Sequence, residues 1–203
     1  MCMSANVKYR ALLHRNTVGL CDMSYAPNDQ YSSPSKVLHW LSAFLIIALI
    51  AVGWWMTGLS EDNPIRGNVY NLHKALGAIT VVLLIARLAW FRVQPPPGPV
   101  SALPRPLRRL NVTVKVLLYA LMLVVPLSGY VMSNAAGHPV SMFGLFSLPS
   151  LVPESRGLAG AASTLHTWSA YVLLALIGVH VAGSVKHRLT DRGGPTDVLQ
   201  RMT

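Results

Sequence analysis

Carboxylates are scarce in this chain. Seven Asp and Glu residues stand against seventeen Lys and Arg, and charged side chains make up only 12% of the 203 residues. Water-soluble domains carry roughly 25% charged residues, so an ordinary globular surface is excluded. Cysteine is rarer still. Cys2 and Cys21 both lie in the leader, which leaves the body of the chain without a thiolate metal site and without a CxxCH attachment motif. The first 35 residues also lack an apolar run long enough for a signal peptide. What the chain has in abundance is hydrophobic side chains, 52% of the total, gathered into long runs. The net charge of +10 falls between those runs, as it does where Lys and Arg set membrane topology. An integral membrane protein is expected, with lipids as its surroundings and no nucleic-acid partner.

Four runs come near the length of about 20 residues needed to cross a bilayer. They cover approximately residues 36–59, 70–91, 110–132 and 163–188. Ser33 and Pro34 introduce the first, and Pro95, Pro96 and Pro97 end the second. Pro126 inside the third should kink it, which neighbouring helices tolerate. Trp54, Trp55, Trp90 and Tyr130 fall near run ends, where interfacial aromatics belong. Lys and Arg concentrate in the leader, in the connection between runs two and three, and in the tail; Arg66, Lys74 and Arg156 are left for the other side. The expected fold is therefore an all-α four-helix transmembrane bundle, N-in and C-in, with a longer outer loop at about 133–163 between helices 3 and 4. That loop reads either as a surface connection or, given Met142, Phe143, Leu145, Phe146 and Leu148, as an interfacial segment on the outer mouth. Residues 1–30 read as a leader, 31–190 as the membrane domain and 191–203 as a cytoplasmic tail. Met23 opens a compact start ahead of the first run, so residues 1–22 read as a disordered extension or a mis-assigned start, and expression from Met23 should give full function.

Within the runs four histidines stand near the ends: His39, His73, His166 and His180. A lone histidine there is more often a packing or capping residue. Here topology matches their depths. His166 and His180 are fourteen residues apart on one helix, about 21 Å along the axis and on similar faces. The first run enters from the cytoplasm, so His39 is level with His180; the second enters from outside, so His73 is level with His166. Two imidazole pairs at two depths of one bundle suit bis-histidine haem. Zinc fits less well, because each level offers two histidines and no carboxylate or cysteine. Gly77 and Gly178, near the ligands, would let a flat ring lie close to a helix. Arg87 lies fourteen residues after His73, at the height of the inner pair. It reads either as a snorkelling arginine at the membrane edge or as a partner for haem propionates.

These features together resemble the bacterial cytochrome b561 family of small four-span inner-membrane proteins. The resemblance covers about residues 31–190. It rests on Leu38-His39-Trp40, on LHKALG with Arg87 following, on Tyr119, Pro126 and Gly129 in the third run, on the FGL of the outer loop, and on the spacing of His166 and His180. It implies two haem b groups, held by His39 with His180 and by His73 with His166. It also implies electron transfer with the quinone pool, and in some members a superoxide oxidase activity with ubiquinone as acceptor. On that footing superoxide, or another small periplasmic donor, would meet the outer haem, with Lys74 beside it or simply facing headgroups. His187, two turns past His180 and flanked by Lys186 and Arg188, would hydrogen-bond a quinone carbonyl and supply a proton, or else belong to a basic stop-transfer cluster. The competing reading is a haem-b subunit that anchors a dehydrogenase or hydrogenase-type complex and takes electrons from a docked redox partner protein. A cofactor-free transporter lacks support, since no inverted repeat of broken helices is visible.

Overall fold

The computed structural model describes residues 30–98 and 103–203. The readings that concern residues 1–22 lie outside the described residues. Four long helices dominate: α1 (Ser33–Thr57), α2 (Arg66–Val93), α3 (Arg105–Ala135) and α4 (Arg156–Thr190). All four are long and apolar enough to cross a membrane.

Local sequence explains their ends. Pro34 sits in the first turn of α1, where the missing N–H would have had no helical partner. Ser155 caps α4, its hydroxyl accepting from the Leu158 N–H at 3.3 Å. Helix α2 stops just short of the three prolines at 95–97, and α3 continues through Pro126. Helices α2, α3 and α4 outrun their apolar stretches at both ends. At 35 residues α4 is about 52 Å long, well beyond about 30 Å of hydrocarbon, so its polar first and last turns stand outside the membrane or the helix tilts.

The burial pattern is inverted relative to a soluble bundle. Phe44, Val82, Ile85 and Val116 face outward, while Ser35, Ser42, Thr80, Ser128 and Ser169 are buried. Small residues let helices approach where lipid supplies no hydrophobic drive between them. Apart from Ser35, which accepts from the N-cap Ser32, their hydroxyls are satisfied within their own helices: Ser42 donates to the Leu38 carbonyl and Ser169 to that of Leu165, each at 2.6 Å. At mid-height each helix contributes one buried apolar side chain, Ile46, Leu84, Met122 and Leu173, to a single layer. Leu173 is midway between His166 and His180, so this layer separates the two histidine depths.

Helix pairing is uneven. Helix α1 lies along α2, α3 along α4, and α2 along α3, whereas α4 approaches α1 and α2 only loosely. The loose seams are those that the histidine pairs cross.

The connection between α3 and α4 is shorter than the expected 133–163, because α3 extends three residues into it and α4 begins about two turns earlier, at Arg156. It also contains an unexpected hairpin, β1 (Ser141–Met142) with β2 (Phe146–Ser147), antiparallel with Met142 opposite Phe146. Its turn closes through the Leu145 N–H to the Met142 carbonyl at 3.0 Å, with Phe143 and Gly144 both at positive φ. Phe143, Leu145 and Phe146 are all exposed, as an interfacial segment requires. The tail folds back at the opposite end of the bundle and finishes in a 3-10 turn (Leu199–Arg201). These two ends are called below the hairpin end and the terminal end.

Candidate functional site

The four histidines fall into two pairs, as the matched depths predict. His39 on α1 and His180 on α4 have ring centres 6.3 Å apart at the terminal end. His73 on α2 and His166 on α4 have ring centres 6.3 Å apart at the hairpin end. All four rings are half-buried. Among the described residues no group of three or more His, Cys, Asp or Glu side chains converges, so a closed tetrahedral zinc site has no basis there.

At the hairpin end backbone shape positions the rings. His166 Nδ1 lies 2.8 Å from the Val125 carbonyl, an acceptor only, so Nδ1 carries the proton and Nε2 keeps its lone pair. Gly129, one turn beyond Val125, gives that ring its room: a Cβ there would come within 2.9 Å of Nδ1. Gly53 plays the same part for His73, with a Cβ reaching within 3.2 Å of Cε1. His73 Nδ1 is buried and has no hydrogen-bond partner. Lys74 turns away along the rim and donates to the Pro139 carbonyl at 3.3 Å, which ties α2 to the hairpin connection. Of the other expected outer cations, Arg66 lies 3.7 Å from Glu61 and over the Tyr70 ring, and Arg156 is exposed at the start of α4.

At the terminal end charge positions the rings. Arg87 does not snorkel outward. It is 7% exposed, and its Nη1 lies 3.0 Å from His39 Nδ1. Its guanidinium packs over the rings of Phe91 and Tyr119, at 5.7 and 5.5 Å, and its Nε is left without a partner. Arginine only donates, so His39 Nδ1 accepts, and a neutral His39 then holds its proton on Nε2. Lys115 on α3 lies within electrostatic reach of both His39 and His180. Among the described residues the ion pairs are Arg66–Glu61 and Arg188–Asp197, so neither Arg87 nor Lys115 has a carboxylate partner.

His187 is half-buried on the last turn of α4, below His180, and feels the charge of Asp191 just beyond the helix. A Cβ at Gly77 or Gly178 would meet nothing within 4 Å, so each opens onto free space.

Sequence reasoning passed over Gly53, Lys115 and Phe91 as site residues. Lys115 left a signal, since it is a lone charge inside a spanning run. Gly53 left none, because its role depends on a ring from another helix.

The model of the prokaryotic cytochrome b561 family matches residues 30–203. Cytochrome b561 homolog 2 of Escherichia coli (strain K12) is 34% identical over 175 residues, which cover 86% of this chain and 91% of that protein. A shorter likeness, 30% identical over 67 residues, relates 30% of this chain to 27% of a probable Ni/Fe-hydrogenase B-type cytochrome subunit of Bradyrhizobium diazoefficiens. The corresponding subunit of Rhizobium leguminosarum bv. viciae is likewise 30% identical over 67 residues, or 28% of its length.

Proposed function

The chain belongs to the prokaryotic cytochrome b561 family, and from that premise we propose that it is a di-haem membrane cytochrome that passes electrons from the outer face to ubiquinone. It is a multi-pass bacterial membrane protein of a b-type haem family. His39 with His180 and His73 with His166 would hold the two haems, and the termini lie in the cytoplasm.

The observation that carries this reading is the spacing of the rings. Two imidazole–metal bonds of about 2 Å each, plus about 1 Å from each nitrogen to its ring centre, span roughly 6 Å. Both pairs stand at 6.3 Å. Three further features support the fit. The seams crossed by the pairs are loosely packed, Gly77 and Gly178 open onto space, and Arg87 and Lys115 offer uncompensated positive charge beside the terminal pair. A bound haem supplies one-electron chemistry, with a potential set by its ligands, burial and nearby charge.

The chain's own residues have other tasks. His166 is fixed as an Nε2 base by the Val125 carbonyl. The layer of Ile46, Leu84, Met122 and Leu173 keeps water from the space between the two depths. Lys74 adds positive potential at the outer rim, which draws an anionic donor. His187, within reach of the Asp191 charge, hydrogen-bonds a quinone carbonyl and delivers a proton from the cytoplasmic side. The substrates are superoxide and ubiquinone. Two superoxide anions each lose one electron to become dioxygen, and one ubiquinone takes both electrons with two protons.

The local likeness to hydrogenase cytochrome subunits favours a second reading, a haem-b anchor that receives electrons from a docked protein. One experiment separates them. Purified protein, mixed with a superoxide pulse and no partner, should show rapid reduction of its haem bands, followed by reoxidation with ubiquinone. No reduction by superoxide, together with a redox subunit co-purifying in equal amount, would establish the anchor instead. Single changes at the four histidines should each cost one of two haems, His39→Ala and His180→Ala the same one.

A further inference from the structure

The C-terminal segment, residues 191–203, is bound into the terminal end of the bundle, and it joins α4 to α1. Gly193, at φ +76°, turns the chain back beneath α4, and a Cβ at Gly194 would fall 1.9 Å from Asp191 Oδ1. Asp197 is fully buried in that turn and accepts from Arg188 at 2.6 Å and from the Gly193 N–H at 3.0 Å. This end of the segment is anchored on α4. The other end is anchored on α1 and the residues just before it. There the Arg201 carbonyl accepts from the Tyr31 N–H at 3.1 Å, the Met202 carbonyl accepts from Trp40 Nε1 at 2.9 Å, and Lys36 donates to Thr203.

The bridge spans a seam that the helices themselves leave open. Helices α1 and α4 pack only loosely against each other, although each carries one histidine of the terminal pair. Lipid supplies no hydrophobic drive that would fix such a gap, so contacts outside it must set its width. Helix α1 is braced from its α2 side as well, where Trp90 Nε1 donates to the Ser32 hydroxyl at 2.9 Å. Trp40 carries the connection to the site. It follows His39 directly, and its ring stands edge-on to the imidazole with centres 5.3 Å apart. Trp40 is 50% exposed, so packing alone does not hold its indole, and the Met202 carbonyl fixes it.

We propose that residues 191–203 are a clasp that sets the distance between α1 and α4 at the terminal-side pair, and that Trp40 is the positioning residue through which the clasp orients His39 against His180. A gap fixed before a cofactor arrives spares binding the entropy of ordering two helices, so the clasp slows haem loss from that centre. The hairpin-side pair, at the other end of α4, is indifferent to it. The haem part of the proposal rests on the reading of His39 and His180 as axial ligands; the spacing of the helices does not.

Two measurements test it, each comparing the full-length protein with a chain ending at Asp191 and with Trp40→Phe, which keeps an aromatic ring and removes the donor. The first needs no haem. With Cys2→Ser and Cys21→Ser in place, spin labels are attached at Val37→Cys on α1 and Val185→Cys on α4, both exposed positions. The distance between them, measured in haem-free protein, should be narrowly distributed, and should broaden in both variants and in Asp197→Ala. The second uses haem-loaded protein in a His166→Ala background, which leaves the terminal-side centre alone. Trp40→Phe should speed transfer of its haem to excess apomyoglobin by up to about tenfold, the net worth of about one hydrogen bond, and truncation by more. The low-field g value of the ferric centre, which follows the angle between the imidazole planes, should move in both. In a His180→Ala background the hairpin-side centre should lose haem at an unchanged rate. A distance distribution unaltered by truncation would overturn the proposal, as would a Trp40→Phe protein with the wild-type g value and rate of haem loss. Equal acceleration at both centres would reduce the segment to a general stabiliser and also overturn it. Wild-type protein that binds no haem would instead defeat the functional reading, and the distance measurement would still decide the clasp.

Discussion

The two histidine pairs share one separation and differ in everything that holds them. At the hairpin end the supports are main chain: a carbonyl that fixes the His166 tautomer, and two glycines that make room for the rings. At the terminal end the supports are cations: Arg87 against His39 and Lys115 within reach of both rings. A ring that donates from Nδ1 has Nε2 ready as a base. One that accepts at Nδ1 carries its proton on Nε2 and must exchange it before it can ligate. At the hairpin side the His166 ring is therefore set when the helices pack, while His73 Nδ1 is left without a partner. On the proposed haem reading, Arg87 must leave His39 Nδ1 before that ring can carry its proton there. The contrast suits the proposed direction of flow, since positive charge around the terminal side raises the potential of a centre there and favours the downhill transfer of an electron towards it.

The sharpest way to break this contrast is steric. Gly129→Leu should abolish the hairpin-side haem and spare the other, so that the pyridine haemochrome assay falls from two haems per chain to one. Gly129→Ala should do the same in part. Its Cβ would meet His166 Nδ1 at 2.9 Å, and overpacking of that kind costs about 1–3 kcal/mol. Should Gly129→Leu remove the terminal-side centre instead, the assignment of supports to tiers would be wrong.

Charge removal probes the other tier. Arg87→Gln should weaken retention of the terminal-side haem and lower its midpoint potential relative to wild type, with the hairpin-side potential unaffected. The change also removes the stacking on Phe91 and Tyr119, worth about 0.5–2 kcal/mol, so Arg87→Lys should recover the potential better than the stability. A smaller effect is expected from Lys74→Gln. It should slow reduction by superoxide several-fold at low ionic strength, and the difference from wild type should fade as salt is raised through 0.15 M, where the Debye length is about 8 Å. A salt-independent loss would point to the broken contact with the Pro139 carbonyl rather than to lost attraction.

Much of the bundle was legible because membranes impose simple rules. Four apolar runs gave four helices, and the depth-matching of His39 with His180 and His73 with His166 followed from topology plus the spacing along one helix. The helix ends were underestimated, since Arg105 and Arg156 begin helices in polar stretches where hydropathy says nothing. The hairpin was missed because its turn uses Phe143 at φ 55° before Gly144, in place of the Asn-Gly or Asp-Gly that marks such turns. Arg87 was placed at the correct height but with two orientations open, and only the rings of Phe91 and Tyr119 and the His39 nitrogen decide between them. The role of Gly53 was out of reach, because it depends on a ring from another helix and leaves no periodicity to read.

The smallest effect, and the one most specific to the terminal end, concerns acid. Burial by itself would raise the Asp197 pKa, but the Gly193 N–H and the Arg188 guanidinium bind its carboxylate, and the net result holds it below the ordinary value of 3.8. A group depressed in the folded state stabilises the fold fully above its unfolded pKa of about 3.9 and loses that contribution as pH falls through the folded value. Docking of residues 191–203 against α4 should therefore be flat between pH 5 and 8 and loosen only below about pH 4. Asp191 follows the same sign, because the Thr196 hydroxyl and N–H hold its carboxylate in the charged form. Hydrogen exchange of residues 191–203 in detergent, measured from pH 8 down to pH 3.5, checks this directly. The hairpin end contains no such buried carboxylate among its described residues, so its exchange should follow only the intrinsic pH dependence. If residues 191–203 were released near pH 6 instead, the assignment of their anchorage to the Asp197 carboxylate would be wrong.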